Sequence, residues 1–151
     1  MPPLARLRAA YAGDLREYRR DHRDWSNRLL HKVCVPLELA AMLLFVAGLG
    51  PVGRQVVRVA GAAVGLLSAA ANPRRPGVLA LVFCAGAGLA AAALAPRLAR
   101  PLRCAAFIEA AAWLAQVCVG HAVFERGGPT LSKQRPTKTA VLLSLLLAWD
   151  E

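Results

Sequence analysis

The chain has 151 residues, of which 57% are hydrophobic and only 19% are charged. Soluble domains carry about a quarter charged residues, so this composition excludes a disordered chain and disfavours an ordinary soluble enzyme. The formal net charge is +10, but the basic residues flank apolar stretches and form no patch with aromatic residues, which disfavours nucleic-acid binding.

The first segment, residues 1–32, predicts an amphipathic helix that lies on the membrane surface or caps a helix bundle. Asp14, Glu17 and Asp21 disfavour the alternative of a mitochondrial transit peptide. One face of this helix, at about 100° per residue, is apolar or aromatic and carries Leu4, Leu7, Tyr11, Leu15, Tyr18 and His22.

A turn is predicted between His22 and His31, which would point to opposite sides of one continuous helix. Residues 24–27 contain Asp, Ser and Asn, which favour turns and helix N-caps. Beyond them Pro36 predicts a kink or a fresh helix start. A polar stripe that enters a membrane span predicts partners inside the bundle, and here it consists of Asn27, His31, Cys34 and Glu38.

Residues 33–124 predict four membrane-spanning helices, separated by prolines and arginines. Their apolar stretches are Val33–Leu49, Gln55–Ala71, Gly77–Ala95 and Leu102–Phe124. A span needs about 17–25 such residues, which the third and fourth provide, whereas Glu38 and Arg58 weaken the first two. Gly61 and Gly65 match the GxxxG packing pattern, but chance is the simpler interpretation in a chain this rich in glycine and alanine.

The basic residues predict the topology. The segments before the first span, between the second and third, and after the fourth carry fourteen Lys or Arg residues, against five elsewhere. Both termini are therefore expected in the cytoplasm.

We interpret residues 1–151 as a single all-α membrane domain, with a C-terminal segment, residues 125–151, whose apolar tail Ala140–Ala148 lies at the interface or folds back on the bundle. The four cysteines form no CxxC pair and are expected to be small buried hydrophobic residues.

The three histidines, His22, His31 and His121, all fall at the predicted cytoplasmic helix ends. Glu125 follows His121 by four residues, so the pair can ligate one metal, or Glu125 can orient His121, or both are ordinary interface residues. Glu109 is a carboxylate inside a span, which suggests a functional role or an ion pair with an arginine of a neighbouring helix.

Two motifs enclose the four apolar stretches. The first consists of Tyr18, His22, Asn27, His31 and Pro36. The second consists of Trp113, Gln116, Gly120, His121, Phe124, Glu125, Arg126 and Pro129. Together they resemble the iron(II)-dependent 2-hydroxy fatty acid dioxygenases, small multi-pass membrane proteins of fatty acid α-oxidation. Asp24 and Trp25 depart from the family pattern, which usually has Asn and often has Pro at these positions.

The resemblance implies an Fe²⁺ cofactor, molecular oxygen, and a 2-hydroxy fatty acid that is shortened by one carbon. The metal ligands would be the three histidines, or two of them with Glu125. Arg28 and Arg126 are candidates to bind the substrate carboxylate, and the remaining candidates to orient ligands or substrate are Tyr18, Asn27 and Gln116. The acyl chain would lie among the apolar spans. The expected location is the endoplasmic reticulum in a eukaryote and the inner membrane in a bacterium.

Other classes remain open at this point. Two histidines can serve as axial ligands of haem, and a non-enzymatic membrane scaffold would carry the histidines only as interface residues. A hydrolase is a weaker alternative because the sequence has no nucleophile elbow.

Overall fold

The structure, a computed structural model, describes residues 2–125 and 148–149, which are mostly helical and contain no strand. The predicted all-α class is therefore confirmed. The five α-helices are α1 (Pro3–Asp21), α2 (Trp25–Gly48), α3 (Pro51–Ala71), α4 (Arg75–Leu94) and α5 (Pro101–Leu114). A short 3₁₀ turn, Ala95–Arg97, follows α4, and α5 continues as a π-helical segment over Ala115–Phe124.

Three helices of the described chain are long and apolar enough to cross a membrane: Trp25–Gly48, Arg75–Arg97 and Pro101–Phe124. They correspond to the first, third and fourth predicted spans, and the first span ends at Gly48, one residue before the predicted end at Leu49. The second predicted span forms α3, which has 21 residues but carries Arg54, Gln55 and Arg58 in its first turns and is not among the three. The predicted orientation of the termini stays a prediction.

Among the described residues, proline positions agree with the helix boundaries, with one exception. Pro51 and Pro101 each occupy the first position of a helix, where the missing N–H has no intrahelical partner to lose. Pro36, by contrast, lies inside α2, which continues through it as one helix. The fresh helix start considered for Pro36 is therefore wrong, because a membrane helix tolerates proline where its neighbours satisfy the freed backbone group.

Close packing of α3 on α4 depends on glycine. A Cβ atom on Gly65 would come 2.9 Å from Leu81 Cα, one on Gly88 would come 2.5 Å from the Val57 carbonyl oxygen, and one on Gly61 would overlap the Cys84 carbonyl oxygen. These distances leave no room for a side chain, so the backbones approach each other directly. The chance interpretation of the Gly61–Gly65 spacing is therefore wrong.

Helix α1 caps the bundle at the C-terminal end of α3. Tyr11 is buried in a cluster with Ala71, and Arg8 Nε donates a hydrogen bond to the Ala70 carbonyl at 3.0 Å. The described end of the apolar tail, Ala148 and Trp149, folds back on the bundle: Trp149 Nε1 donates to the Lys32 carbonyl at 3.2 Å. Residues 140–147 of the tail lie outside the described residues.

The cysteine prediction is right for only half of the residues. All four are free thiols, but Cys34 and Cys84 are buried whereas Cys104 and Cys118 are exposed. Both exposed residues belong to α5 and its π-helical extension, which pack mainly against α2 and whose outer face no other described helix covers. Phe107 on that outer face is 75% exposed, as expected for a side chain that faces lipid.

Candidate metal centre

The turn between α1 and α2 brings the first two histidines together. Asp24 is the N-cap of α2, and its Oδ1 accepts hydrogen bonds from the backbone N–H groups of Ser26 and Asn27 at 2.7 and 3.3 Å. This cap confirms the predicted helix break, since the preceding helix ends at Asp21. As a result His22 Nε2 lies 3.3 Å from His31 Nε2.

The third histidine reaches the same point from the other end of the chain. The ring centroid of His121 lies 5.1 Å from that of His22 and 5.2 Å from that of His31. One nitrogen from each of the three rings lies within 4.8 Å of the others. His22 and His31 are buried, whereas His121 is partly exposed. The predicted meeting of the two halves of the chain is therefore present.

Backbone carbonyls determine which nitrogens point at the centre. His22 Nδ1 lies 2.8 Å from the Tyr18 carbonyl, and His31 Nδ1 lies 3.0 Å from the Asn27 carbonyl. A carbonyl only accepts hydrogen bonds, so we assign the proton of each neutral ring to Nδ1. The two Nε2 lone pairs then face each other, which is the tautomer that metal-binding histidines adopt when the other ring nitrogen donates to a carbonyl.

The separation of these nitrogens fits one metal ion. Two imidazoles bound to the same ion at about 2.0–2.1 Å place their nitrogens about 3 Å apart at ordinary coordination angles. The observed distance between His22 Nε2 and His31 Nε2 is 3.3 Å. Two unshared lone pairs at this distance repel each other unless a cation or a proton lies between them. The donor set and its arrangement therefore fit a metal bound by three histidines.

Tyr18 holds the plane of the His22 ring. The two rings stack with centroids 4.0 Å apart and an angle of 15° between their planes. The Tyr18 carbonyl also accepts the backbone N–H of His22 at 2.9 Å. The phenol ring and the backbone carbonyl of Tyr18 together limit the rotation of the His22 imidazole. Tyr18 therefore belongs to the centre, although it is not among the residues that could bind the metal.

Glu125 joins the end of the fifth helix to the start of α2. Its Oε1 accepts hydrogen bonds from the Asp24 backbone N–H at 2.9 Å and from Asn27 Nδ2 at 3.0 Å. Asn27 is fully buried, and its Oδ1 lies against Gly120. One carboxylate oxygen of Glu125 is thus engaged with α2, and the group of side chains that could hold a metal within the described chain consists of the three histidines without Glu125.

The other predicted site residues lie around this centre or beyond the described chain. Arg28 is half-buried on α2, and Arg126 lies outside the described residues. Gln116 Nε2 donates to Glu38 Oε1 at 2.6 Å, further along the contact between α2 and the π-helical segment. Within the described residues Glu109 has no ion pair, and its buried Oε2 accepts no hydrogen bond.

An apolar groove follows the same pair of helices. It has a volume of about 580 Å³, and its lining residues are Ala41, Met42, Phe45, Val46, Ala105, Ala106, Glu109, Ala110 and Trp113. Met42 is eleven residues beyond His31 on α2, which corresponds to about 16 Å along the axis. The groove therefore lies deeper along α2 and α5 than the histidines do.

The sequence motifs did not predict three features of the centre. They are the π-helical segment, the contact between Gly120 and Asn27, and the hydrogen bond between Gln116 and Glu38. The positions of His121 and Glu125 were predicted at α-helical spacing, and no residue in the segment signals a change of helix type. Glu38 was recognised as part of a polar stripe, but its partner is on a distant helix.

Comparison with known families gives the same assignment as the two motifs. A family model described as "Mpo1-like: 2-hydroxy-palmitic acid dioxygenase Mpo1-like" matches residues 9–149. The chain belongs to this Mpo1-like family. The match covers nearly the whole chain, including all three histidines. No curated protein and no solved structure matches the chain.

Proposed function

We propose that this member of the Mpo1-like family is an iron(II)-dependent dioxygenase that converts 2-hydroxy fatty acids to fatty acids one carbon shorter. The observation that carries the proposal is the opposition of His22 Nε2 and His31 Nε2 at 3.3 Å, with both Nδ1 atoms on backbone carbonyls. The family description names a 2-hydroxy-palmitic acid dioxygenase, which supports the substrate class.

The iron would be held by His22, His31 and His121. When bound, iron(II) supplies a redox-active centre for oxygen chemistry, with positions left open by the three protein ligands. Glu125 is the less favoured ligand because it does not belong to the group of side chains whose donor atoms converge, and its Oε1 accepts two hydrogen bonds from α2 and the residue that caps it. In our proposal Glu125 and Asn27 hold the two halves of the centre together, as partners outside the metal ligands commonly do.

The substrate would lie with its polar head at the histidines and its tail along α2 and α5. Arg28 precedes His31 by three residues on α2, and its guanidinium can bind a carboxylate through two parallel hydrogen bonds. Arg126 is a second candidate for this role. The groove between α2 and α5 is lined almost entirely by apolar side chains, so it suits a hydrocarbon chain and excludes water from it.

The test replaces each histidine by alanine in protein purified in detergent. We expect His22→Ala, His31→Ala and His121→Ala each to lose bound iron and to lose oxygen uptake on 2-hydroxypalmitate. Cys118→Ser, a change at an exposed position of the same π-helical segment, is the matched control and should retain both. A histidine variant that keeps full iron content and activity would remove that residue from the centre.

Haem binding is the main alternative, and the geometry disfavours it. Axial histidines stand on opposite sides of the iron, about 4 Å apart for bonds of about 2.0 Å, and the porphyrin ring must fit between them. Here the nitrogens are 3.3 Å apart and a third imidazole edge lies beside both rings. A Soret band in the purified protein would favour haem, and metal-free protein without oxygen uptake would favour a scaffold.

A further inference from the structure

We propose that Glu38 is a positioning residue for His121, acting through its hydrogen bond with Gln116 at the start of the π-helical segment. This inference rests on the three-histidine centre of the proposed function. It assigns to a carboxylate in the apolar part of α2 the task of holding the helix that carries the third histidine.

The π-helical segment, Ala115–Phe124, is attached to α2 on both sides of His121. Near its start, Gln116 Nε2 donates to Glu38 Oε1 at 2.6 Å. Just after its end, Glu125 Oε1 accepts from Asp24 and Asn27 at 2.9 and 3.0 Å. Both attachments are hydrogen bonds to a carboxylate, and both join segments that are far apart in the sequence.

Gln116 stands at the point where the helix changes type. Its Nε2 is also 3.4 Å from the Ala112 carbonyl in the last turn of α5. The segment ends with a hydrogen bond from the Glu125 N–H to the Gly120 carbonyl, five residues earlier, at 3.2 Å. Each hydrogen bond of this kind spans one residue more than the hydrogen bond of an α-helix. Side chains in the segment therefore point in directions that an α-helix would not give them.

The direction of His121 therefore depends on keeping the π form. Long π-helical runs are rare, because the α form is ordinarily preferred. If the anchor at Gln116 is lost, we expect the segment to relax towards the α form and to turn the His121 imidazole away from His22 and His31. This accounts for a carboxylate at residue 38, since an apolar side chain would suit a membrane helix better.

The experiment measures zinc affinity, by competition with a chromogenic chelator, for the full chain in detergent micelles. Glu38→Leu should weaken zinc binding about tenfold, the lower part of the range seen when a partner of a metal ligand is removed. Glu38→Gln should stay close to wild type, since its amide oxygen still accepts the bond from Gln116. Ser68→Ala is the matched control: Ser68 is also buried, but its hydroxyl donates to the Val64 carbonyl within its own helix, α3, and zinc affinity should not change.

Selective labelling of the three histidines gives a second measurement, on the zinc-loaded protein. Nuclear Overhauser contacts from His121 to His22 and His31 should be present in the wild type and in Glu38→Gln, and should be lost in Glu38→Leu. Gln116→Leu should reproduce the effect of Glu38→Leu, and the double variant should be no weaker than either single variant.

Wild-type affinity and intact His121 contacts in Glu38→Leu would overturn the inference while leaving the three-histidine centre in place. Equal weakening in Glu38→Gln and Glu38→Leu would also overturn it, because the hydrogen bond would then not be the cause. Failure of the proposed function is recognised separately: zinc binding by the wild type would not depend on His22.

Discussion

Replacement of Gly120 by alanine tests the contact between the two halves of the centre. A Cβ at this position would lie 3.4 Å from Asn27 Cγ and 3.4 Å from Leu30 Cδ2, and closer still to Asn27 Oδ1. Asn27 is fully buried, so its amide has no free space to enter. The added methyl group must displace the amide or push the π-helical segment away from α2.

The magnitude follows from two opposing effects. Overpacking a tight contact costs about 1–3 kcal/mol, and the better helix propensity of alanine returns about 1 kcal/mol. Because the added Cβ overlaps Asn27 Oδ1, the upper half of this overpacking range applies, about 2–3 kcal/mol. We therefore expect Gly120→Ala to lower the free energy of unfolding by about 1–2 kcal/mol. Displacement of the amide also breaks the bond from Asn27 Nδ2 to Glu125, so zinc affinity should fall by about tenfold.

The assay is thermal unfolding in detergent together with zinc affinity by chelator competition. Gly86→Ala is the matched control, because a Cβ placed on Gly86 meets no atom of another helix among the described residues within 4 Å, and it should not lose stability. The double variant Gly120→Ala/Asn27→Ala should be no worse than Asn27→Ala alone, since the alanine at 27 removes the clash. Wild-type stability and affinity in Gly120→Ala, or additive losses in the double variant, would refute the contact.

Three further changes test other parts of the structure. Ala106→Phe fills the groove between α2 and α5, so kcat/KM for long-chain 2-hydroxy acids should fall about tenfold relative to short ones, whereas Phe107→Leu on the exposed face should not alter chain-length preference. Gly61→Leu forces α3 away from α4 and should lower the free energy of unfolding by about 1–3 kcal/mol; an unchanged thermal midpoint would contradict the close packing. Tyr18→Leu removes the stacked ring from His22 and should weaken zinc binding about two- to tenfold, and undiminished affinity would show that the stack does not hold the imidazole.

The sequence alone was sufficient for the helices and for the meeting of the histidines. Apolar runs of membrane-spanning length, punctuated by proline and arginine, specify helices because an unpaired backbone group is too costly in lipid. The N-cap at Asp24 was predictable from local residue types. His22 and His121 could be placed at one end of the bundle by the even number of apolar stretches between them.

The sequence was insufficient wherever the outcome depended on contacts between distant helices. Gly61 takes its role from the backbone of α4, and Glu38 takes its role from Gln116, which lies 78 residues away. The change from α to π geometry after Leu114 alters the faces that a constant angle per residue assigns to His121. The hydrophobic periodicity and the composition of a sequence describe one helix at a time. They contain no information about which residues of distant helices come into contact.

The distribution of the three imidazoles along the polypeptide has a consequence for biogenesis. Two of them leave the ribosome within the first 31 residues, but the third follows 90 residues later, in the last helix of the described bundle. A nascent chain thus offers only two of the three imidazoles until the helix that carries His121 has been made and has folded against α2. A metal held by all three histidines would therefore have to bind after that helix has packed against α2.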